Sequence, residues 1–188
     1  MVLEVELPNE LEVQLPKRKM RNILSKNLKD TQKIAANFLK NLIPLKNKAT
    51  VLALKGDLGS GKTAFVKCIA KELGIKEIVT SPTFVIIKNY SLQGRTLKRR
   101  STFHASRFTN LVHVDAYRLE SAKELKSLGW DEIIANPENL IAIEWAERVK
   151  SIIPKSAIWI EFEYIDERTR MIRIVNGSIN SPQVVNCE

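Results

Sequence analysis

Eight consecutive residues, Gly56-Asp57-Leu58-Gly59-Ser60-Gly61-Lys62-Thr63, follow the pattern G-x4-G-K-[S/T]. A phosphate chain carries several negative charges and needs many donors converging on it. Glycines let the backbone wrap closely, so that successive N–H groups form an anion nest at a helix N-terminus. In that arrangement Lys62 reaches the β- and γ-phosphates and the Thr63 hydroxyl holds Mg²⁺. From average residue usage, a chance match in a chain of this length has a probability on the order of 1%. The pattern reads as a P-loop for ATP or GTP.

Holding a nucleotide is not hydrolysing it, which needs a second carboxylate near the magnesium. Two acids end apolar runs. Glu144 follows Leu140-Ile141-Ala142-Ile143, the arrangement of a Walker B strand, and Asp115 follows Leu111-Val112-His113-Val114. Each could instead be an ordinary polar end to a strand. Thr83, in Ser81-Pro82-Thr83-Phe84, occupies the loop where GTPases keep a switch threonine that senses the γ-phosphate, or is simply a turn threonine beside proline. His113 alternates with Asp115 and is expected on the same sheet face, making a structural hydrogen bond. His104 is expected to be exposed. Trp130 and Trp145 are expected in the core or an interface, and Trp145 is placed to report on the nucleotide.

These residues need a frame. Residues 1–24 hold two prolines and no helical period, and read as an N-terminal extension. From Asn27 the pattern is helical: Asp30 or Thr31 can cap, Ile34, Phe38 and Leu42 recur four apart, and Pro44 ends the run. Residues 50–55 form a short apolar run suited to a strand buried on both faces. Lys62 to Leu73 is expected to be helical, with Phe65, Ile69 and Leu73 on one stripe and Gly74 as its stop. Phe84 to Tyr90, Leu111 to Ala116 and Leu140 to Ile143 are strand candidates. Ser121 and Glu124 form a capping box for a helix ending near Gly129. Residues 157–164 and 169–175 alternate around Asp166-Glu167, the pattern of a hairpin. The expected fold is α/β: a mixed, mostly parallel sheet flanked by helices, with a C-terminal antiparallel hairpin. The domain is expected over 25–176, with a basic loop at 91–109 and a tail at 177–188.

Composition agrees with one soluble domain. The 188 residues are 44% hydrophobic and 27% charged, which suits a packed core without disulfides. Cys68 and Cys187 lie far apart, so neither a zinc site nor an oxidising compartment is indicated. Met1 to Pro16 lacks a basic segment followed by an apolar run, so no secretory signal is expected. No stretch approaches the roughly 20 apolar residues of a membrane span, and a cytoplasmic location is expected. The net charge of +9 favours nucleic acid or acidic partners, although lysines that merely solvate helix faces would give the same balance.

Five segments in order resemble one family, TsaE, the ATPase of bacterial threonylcarbamoyladenosine (t6A) tRNA modification. Residues 56–63 are similar to its P-loop, and Ser81-Pro82-Thr83-Phe84 to its switch-like element. His113-Val114-Asp115-Ala116-Tyr117-Arg118-Leu119 resembles its H-x-D-x-Y-R-L block. Leu128-Gly129-Trp130-Asp131-Glu132 and Ile143-Glu144-Trp145-Ala146-Glu147 are similar to its L-G-x-x-E and I-E-W-x-E segments. The resemblance runs from about residue 25 to 175 and implies a P-loop ATPase fold. It implies an Mg-dependent ATPase that serves TsaD and TsaB, resetting the complex that modifies an adenosine beside the tRNA anticodon. Leu58 to Thr63 would then hold the phosphates, Thr63 and Glu144 the magnesium, and Asp115 and Thr83 would act around the γ-phosphate.

Two departures stand out. The segment from Ser91 to Thr109 is about a dozen residues longer than the family's connection and strongly basic, suiting contact with tRNA or an acidic partner. Residues 1–24 also exceed its short N-terminus. A small P-loop kinase using Arg95 to Arg100 as a lid is the rival enzyme, and a module binding nucleotide only as a structural ligand is the other alternative. The base-reading motif N-K-x-D of G proteins is absent, which favours ATP.

Overall fold

The computed structural model describes residues 20–92 and 107–175. Its elements, in chain order, are β1 (Met20–Ser25), α1 (Leu28–Asn41), β2 (Thr50–Lys55), α2 (Lys62–Glu72), β3 (Ile87–Ser91) and β4 (Asn110–Asp115). Then follow α3 (Ala122–Ser127), α4 (Trp130–Ala135), β5 (Asn139–Glu144), a 3₁₀ segment (Ala146–Ile152), β6 (Ile158–Tyr164) and β7 (Arg170–Val175). The strands form one mixed sheet in the order β1-β7-β6-β2-β5-β4-β3. The four inner strands β6, β2, β5 and β4 run parallel. Antiparallel pairings finish both edges: β7 and β1 on one side, β3 on the other.

Strand alternation builds the two halves of the core. Along β2, Leu52 and Leu54 face α1 and α2, where they join Phe38, Leu39, Phe65 and Ile69. Val51 and Ala53 face the other way, toward Val114, Leu125, Trp130 and Ile143. Burial on both faces is why β2 and β5 read as unbroken apolar runs. Phe65, fully buried on α2, packs edge-on against Phe38 and Phe162 with ring centroids 6.1 and 5.5 Å away. The phosphate-loop helix is thereby fixed to both α1 and the sheet.

Several sequence expectations are met and several need correction. The capping box of Ser121 and Glu124 is present, and Gly74 follows α2 with a left-handed φ of 78°. The cap of α1, however, is Asn27, whose side chain accepts the Asp30 N–H at 3.0 Å. Asp30 returns the favour from the third helical position by accepting the Lys26 N–H. Residues 20–24, read as the end of an extension, belong to β1, whose ladder runs beside β7. The strand expected from Phe84 starts only at Ile87, because residues 82–86 curl into a turn in which the Val85 and Ile86 N–H groups both donate to the Pro82 carbonyl.

The long basic segment connects two antiparallel neighbours, β3 and β4, and the Leu92 N–H donates to the Thr109 carbonyl at 2.7 Å. His104 and the run Arg95 to Arg100 lie outside the described residues, as do most of residues 1–24 and the tail 177–188. Among the described residues no helix is long and apolar enough to cross a membrane.

Candidate functional site

The chain leaves β2 at Lys55 and enters α2 at Lys62, so residues 56–61 form the loop over the helix N-terminus. Gly56, Gly59 and Gly61 take φ values of 146°, 76° and 103°. At Gly56 the requirement is also steric: a Cβ there would lie 2.3 Å from the Phe162 carbonyl oxygen. Only glycine lets the loop pass so close to β6. Leu58 at the crest is 81% exposed, whereas the Ser60 hydroxyl is buried and makes no hydrogen bond. A buried donor without a partner fits a loop shaped to meet an anion.

Lys62 is buried and curls back over its own loop, donating to the carbonyls of Gly56 (2.6 Å) and Asp57 (2.9 Å). Its ammonium lies 3.9 Å from the centre of the Trp145 ring. Burial pulls the lysine below its ordinary range, against the opposing pull of Glu144, Glu147, Asp115 and Asp57. A cation surrounded by acids and held only by carbonyls and a ring is available to a stronger anion.

The two acids predicted from the apolar runs stand side by side. Parallel pairing puts Asp115 level with Glu144, and Glu144 level with Leu54 at the end of β2. All three lie at the carboxyl edge of the sheet, where ligands bind in folds of this kind. Glu144 is 2% exposed. One oxygen accepts the Thr63 hydroxyl at 2.7 Å and the other meets His113 Nε2 at 2.8 Å. His113 is therefore the structural partner expected of it, donating from a fully buried ring to an acid of the site.

Asp115 is engaged differently. Its Oδ2 accepts the hydroxyls of Ser81 and Thr83, the latter at 2.7 Å, and its Oδ1 accepts the Tyr117 N–H at 3.0 Å. The Ser81–Thr83 turn is thus tied to β4 through one carboxylate, with Phe84 and Val85 left exposed beyond it. Thr83 and Asp115 form one cluster; Thr63, Glu144 and His113 form another. The rings of Tyr117 and Trp145, each within two residues of one of these acids, pack against each other with centroids 5.1 Å apart.

Sequence reasoning named Ser81 and Glu147 only as letters of the family segments, without a role, and did not single out Arg170. Arg170 reaches from β7 to donate to the Gly59 carbonyl at 3.2 Å. It also lines a cavity of about 300 Å³ with Leu28, Thr31, Gly61, Ala64 and Arg168, beside the phosphate loop. Its only sequence signal was a position in the hairpin, and nothing local links residue 170 to residue 59.

Among the described residues no three His, Cys, Asp or Glu side chains form a closed metal site. The pair that could share a cation is Thr63 and Glu144, two oxygens from different elements already within 2.7 Å. Such a sparse protein donor set suits magnesium, which keeps waters and takes phosphate oxygens for its remaining positions.

The model of the TsaE family, described as threonylcarbamoyl adenosine biosynthesis protein TsaE, matches residues 25–172. The tRNA threonylcarbamoyladenosine biosynthesis protein TsaE of Rickettsia felis is 32% identical over 160 residues, covering 85% of this chain and 82% of the relative. The protein of the same name from Bacillus subtilis is 33% identical over 154 residues, covering 82% of each. The crystal structure of Bacillus subtilis YdiB superposes with a TM-score of 0.60 at 28% identity, covering 84% of this chain and 86% of that one. Since that family model spans residues 25–172 and relatives of the same name are about one third identical over more than four fifths of the chain, the chain belongs to the TsaE family.

Proposed function

We propose that this protein binds and hydrolyses ATP with Mg²⁺ as an accessory to the formation of threonylcarbamoyladenosine in tRNA, working with TsaD and TsaB in the cytoplasm. The observation that carries the reading is the 2.7 Å contact between Thr63 and Glu144 at the N-terminus of the phosphate-loop helix. It brings the loop's hydroxyl and the Walker B acid to one point, 81 residues apart in sequence.

The chain's own groups divide the work. The loop N–H groups and the positive end of α2 take the phosphates. Lys62 exchanges the carbonyls of Gly56 and Asp57 for phosphate oxygens, a stronger, charge-assisted partner. Glu144, fixed by His113, presents its other oxygen toward Thr63. Asp115 with Thr83 and Ser81 forms the second acid cluster, placed to orient an attacking water and to sense the γ-phosphate. To the cavity between Leu28, Ala64 and Arg170, beside the loop, we assign the nucleoside end of the ligand. Bound magnesium would neutralise charge on the β- and γ-phosphates.

Calorimetric titration with Mg·ATP tests the binding. Replacing Lys62 by Ala removes a charge-assisted donor, normally about 1.5–3 kcal/mol, and should weaken ATP roughly ten- to a hundredfold. Equal affinity in Lys62→Ala and wild type would withdraw the phosphate-loop assignment.

A further inference from the structure

The cavity beside the phosphate loop is lined by two segments that meet only through folding. Ser60, Gly61 and Ala64 come from the loop and the start of α2, and Glu167 and Arg168 from the turn between β6 and β7. Arg170, the first residue of β7, bonds to both segments. Its Nη2 donates to the Gly59 carbonyl at 3.2 Å. Its Nη1 donates to the carbonyls of Asp166 and, at 2.9 Å, Thr169. The side-chain stem passes Gly61, where an added Cβ would lie 3.8 Å from Arg170 Cγ. The guanidinium lies 4.5 Å from the centre of the Tyr164 ring, and Tyr164 is the cross-strand partner of Arg170 on β6. The turn itself is closed by the Asp166 carboxylate, which accepts the Arg168 and Thr169 N–H groups, both at 2.8 Å.

We propose that Arg170 is a positioning residue that holds the β6–β7 turn against the phosphate loop and so sets the cavity that takes the nucleoside end of the ligand. The inference rests on the nucleotide reading of this loop. All three acceptors are backbone carbonyls, so these bonds fix the place of two segments and do not neutralise a charge. A rigid planar fork can serve the turn and the loop at once, which a single ammonium on a flexible stem cannot. Without the fork the turn hangs from β6 and β7 alone. Each incoming ligand must then order it beside the loop, and that ordering is subtracted from affinity. The phosphates are held by the loop N–H groups and Lys62 and do not draw on the turn.

The test is calorimetric titration of wild type, Arg170→Gln and Arg170→Lys with Mg·ADP and with Mg·tripolyphosphate, which has no nucleoside. Gln removes both the fork and the charge; Lys keeps the charge without the fork. Both variants should lose at least about fivefold in affinity for ADP, with tripolyphosphate unchanged within about twofold. A merely structural role would weaken both ligands together. Wild-type affinity for ADP in Arg170→Lys would show that charge and not the bridge matters. That result, an equal loss for tripolyphosphate, or no loss in either variant would overturn the proposal while leaving the nucleotide site standing. Wild type that binds neither ligand would remove the nucleotide reading, and this inference with it.

Discussion

Replacing Gly56 and Gly59, one at a time, by alanine separates a steric demand from a conformational one within a single loop. At Gly59 a Cβ would meet nothing within 4 Å, so the cost is the left-handed backbone alone, about 1 kcal/mol. At Gly56 the backbone lies at φ 146°, a region held almost only by glycine and costing about 1–3 kcal/mol for other residues. In addition, the new Cβ would sit 2.3 Å from the Phe162 carbonyl oxygen and 2.8 Å from Ser60 Oγ. Ser60 can rotate, but the carbonyl belongs to β6, whose neighbours are β2 and β7. The loop must retreat by about 1.1 Å to bring the 2.3 Å approach out to an ordinary contact of 3.4 Å, and forced overpacking of this kind costs a further 1–3 kcal/mol or so. Gly56→Ala should therefore lose about 2–6 kcal/mol, centred near 4. For a chain of this size that lowers the melting temperature by roughly 10 °C or more, against about 3 °C for Gly59→Ala. Urea unfolding followed by circular dichroism reads both losses. Equal losses in the two variants, within about 0.5 kcal/mol, would refute the close approach to β6 on which the shape of the loop rests.

Phe65 joins α1, α2 and β6 through its two edge-on ring contacts, so Phe65→Ala should cost about 3–5 kcal/mol in denaturant unfolding; a loss below about 1 kcal/mol would show that the helix is held by other contacts. Cys68 is buried, which pushes its thiol above the usual 9.0, with Lys71 drawing it back and Glu72 adding to the rise. In a Cys187→Ser background, Cys68 should resist thiol reagents at pH 8–9 until the protein is unfolded, and rapid labelling of the native protein would contradict its burial. Because the folded state keeps this proton more firmly, its contribution to stability is full below about pH 9.0 and is lost as pH rises through the folded value.

Local patterns carried the parts of the fold that local physics decides. The phosphate loop was legible because glycines, lysine and threonine at fixed spacing leave few alternatives. Strands β2 and β5 were legible because burial on both faces removes polar residues from them. β1 escaped because it is an edge strand whose partner β7 lies about 150 residues downstream, and nothing in Met20–Ser25 announces that pairing. The turn at 82–86 was misread as strand because Phe84-Val85-Ile86 has strand-like residue types, while Asp115 draws the preceding hydroxyls of Ser81 and Thr83 inward. Glu144 and Asp115 could be placed together because both end apolar runs on parallel strands. Arg170 could not, since its relation to the loop arises only once β6 and β7 fold against β2.

The central claim, that Thr63 and Glu144 form the working centre of an ATPase, is tested most directly by ATP turnover in wild type and Glu144→Ala, each alone and with TsaB and TsaD added. The account predicts slow turnover by wild type alone that rises with the partners. It also predicts that Glu144→Ala still binds ATP but loses at least about a hundredfold in turnover. Turnover that survives in Glu144→Ala, or that ignores both partners and rises with a small metabolite, would contradict it.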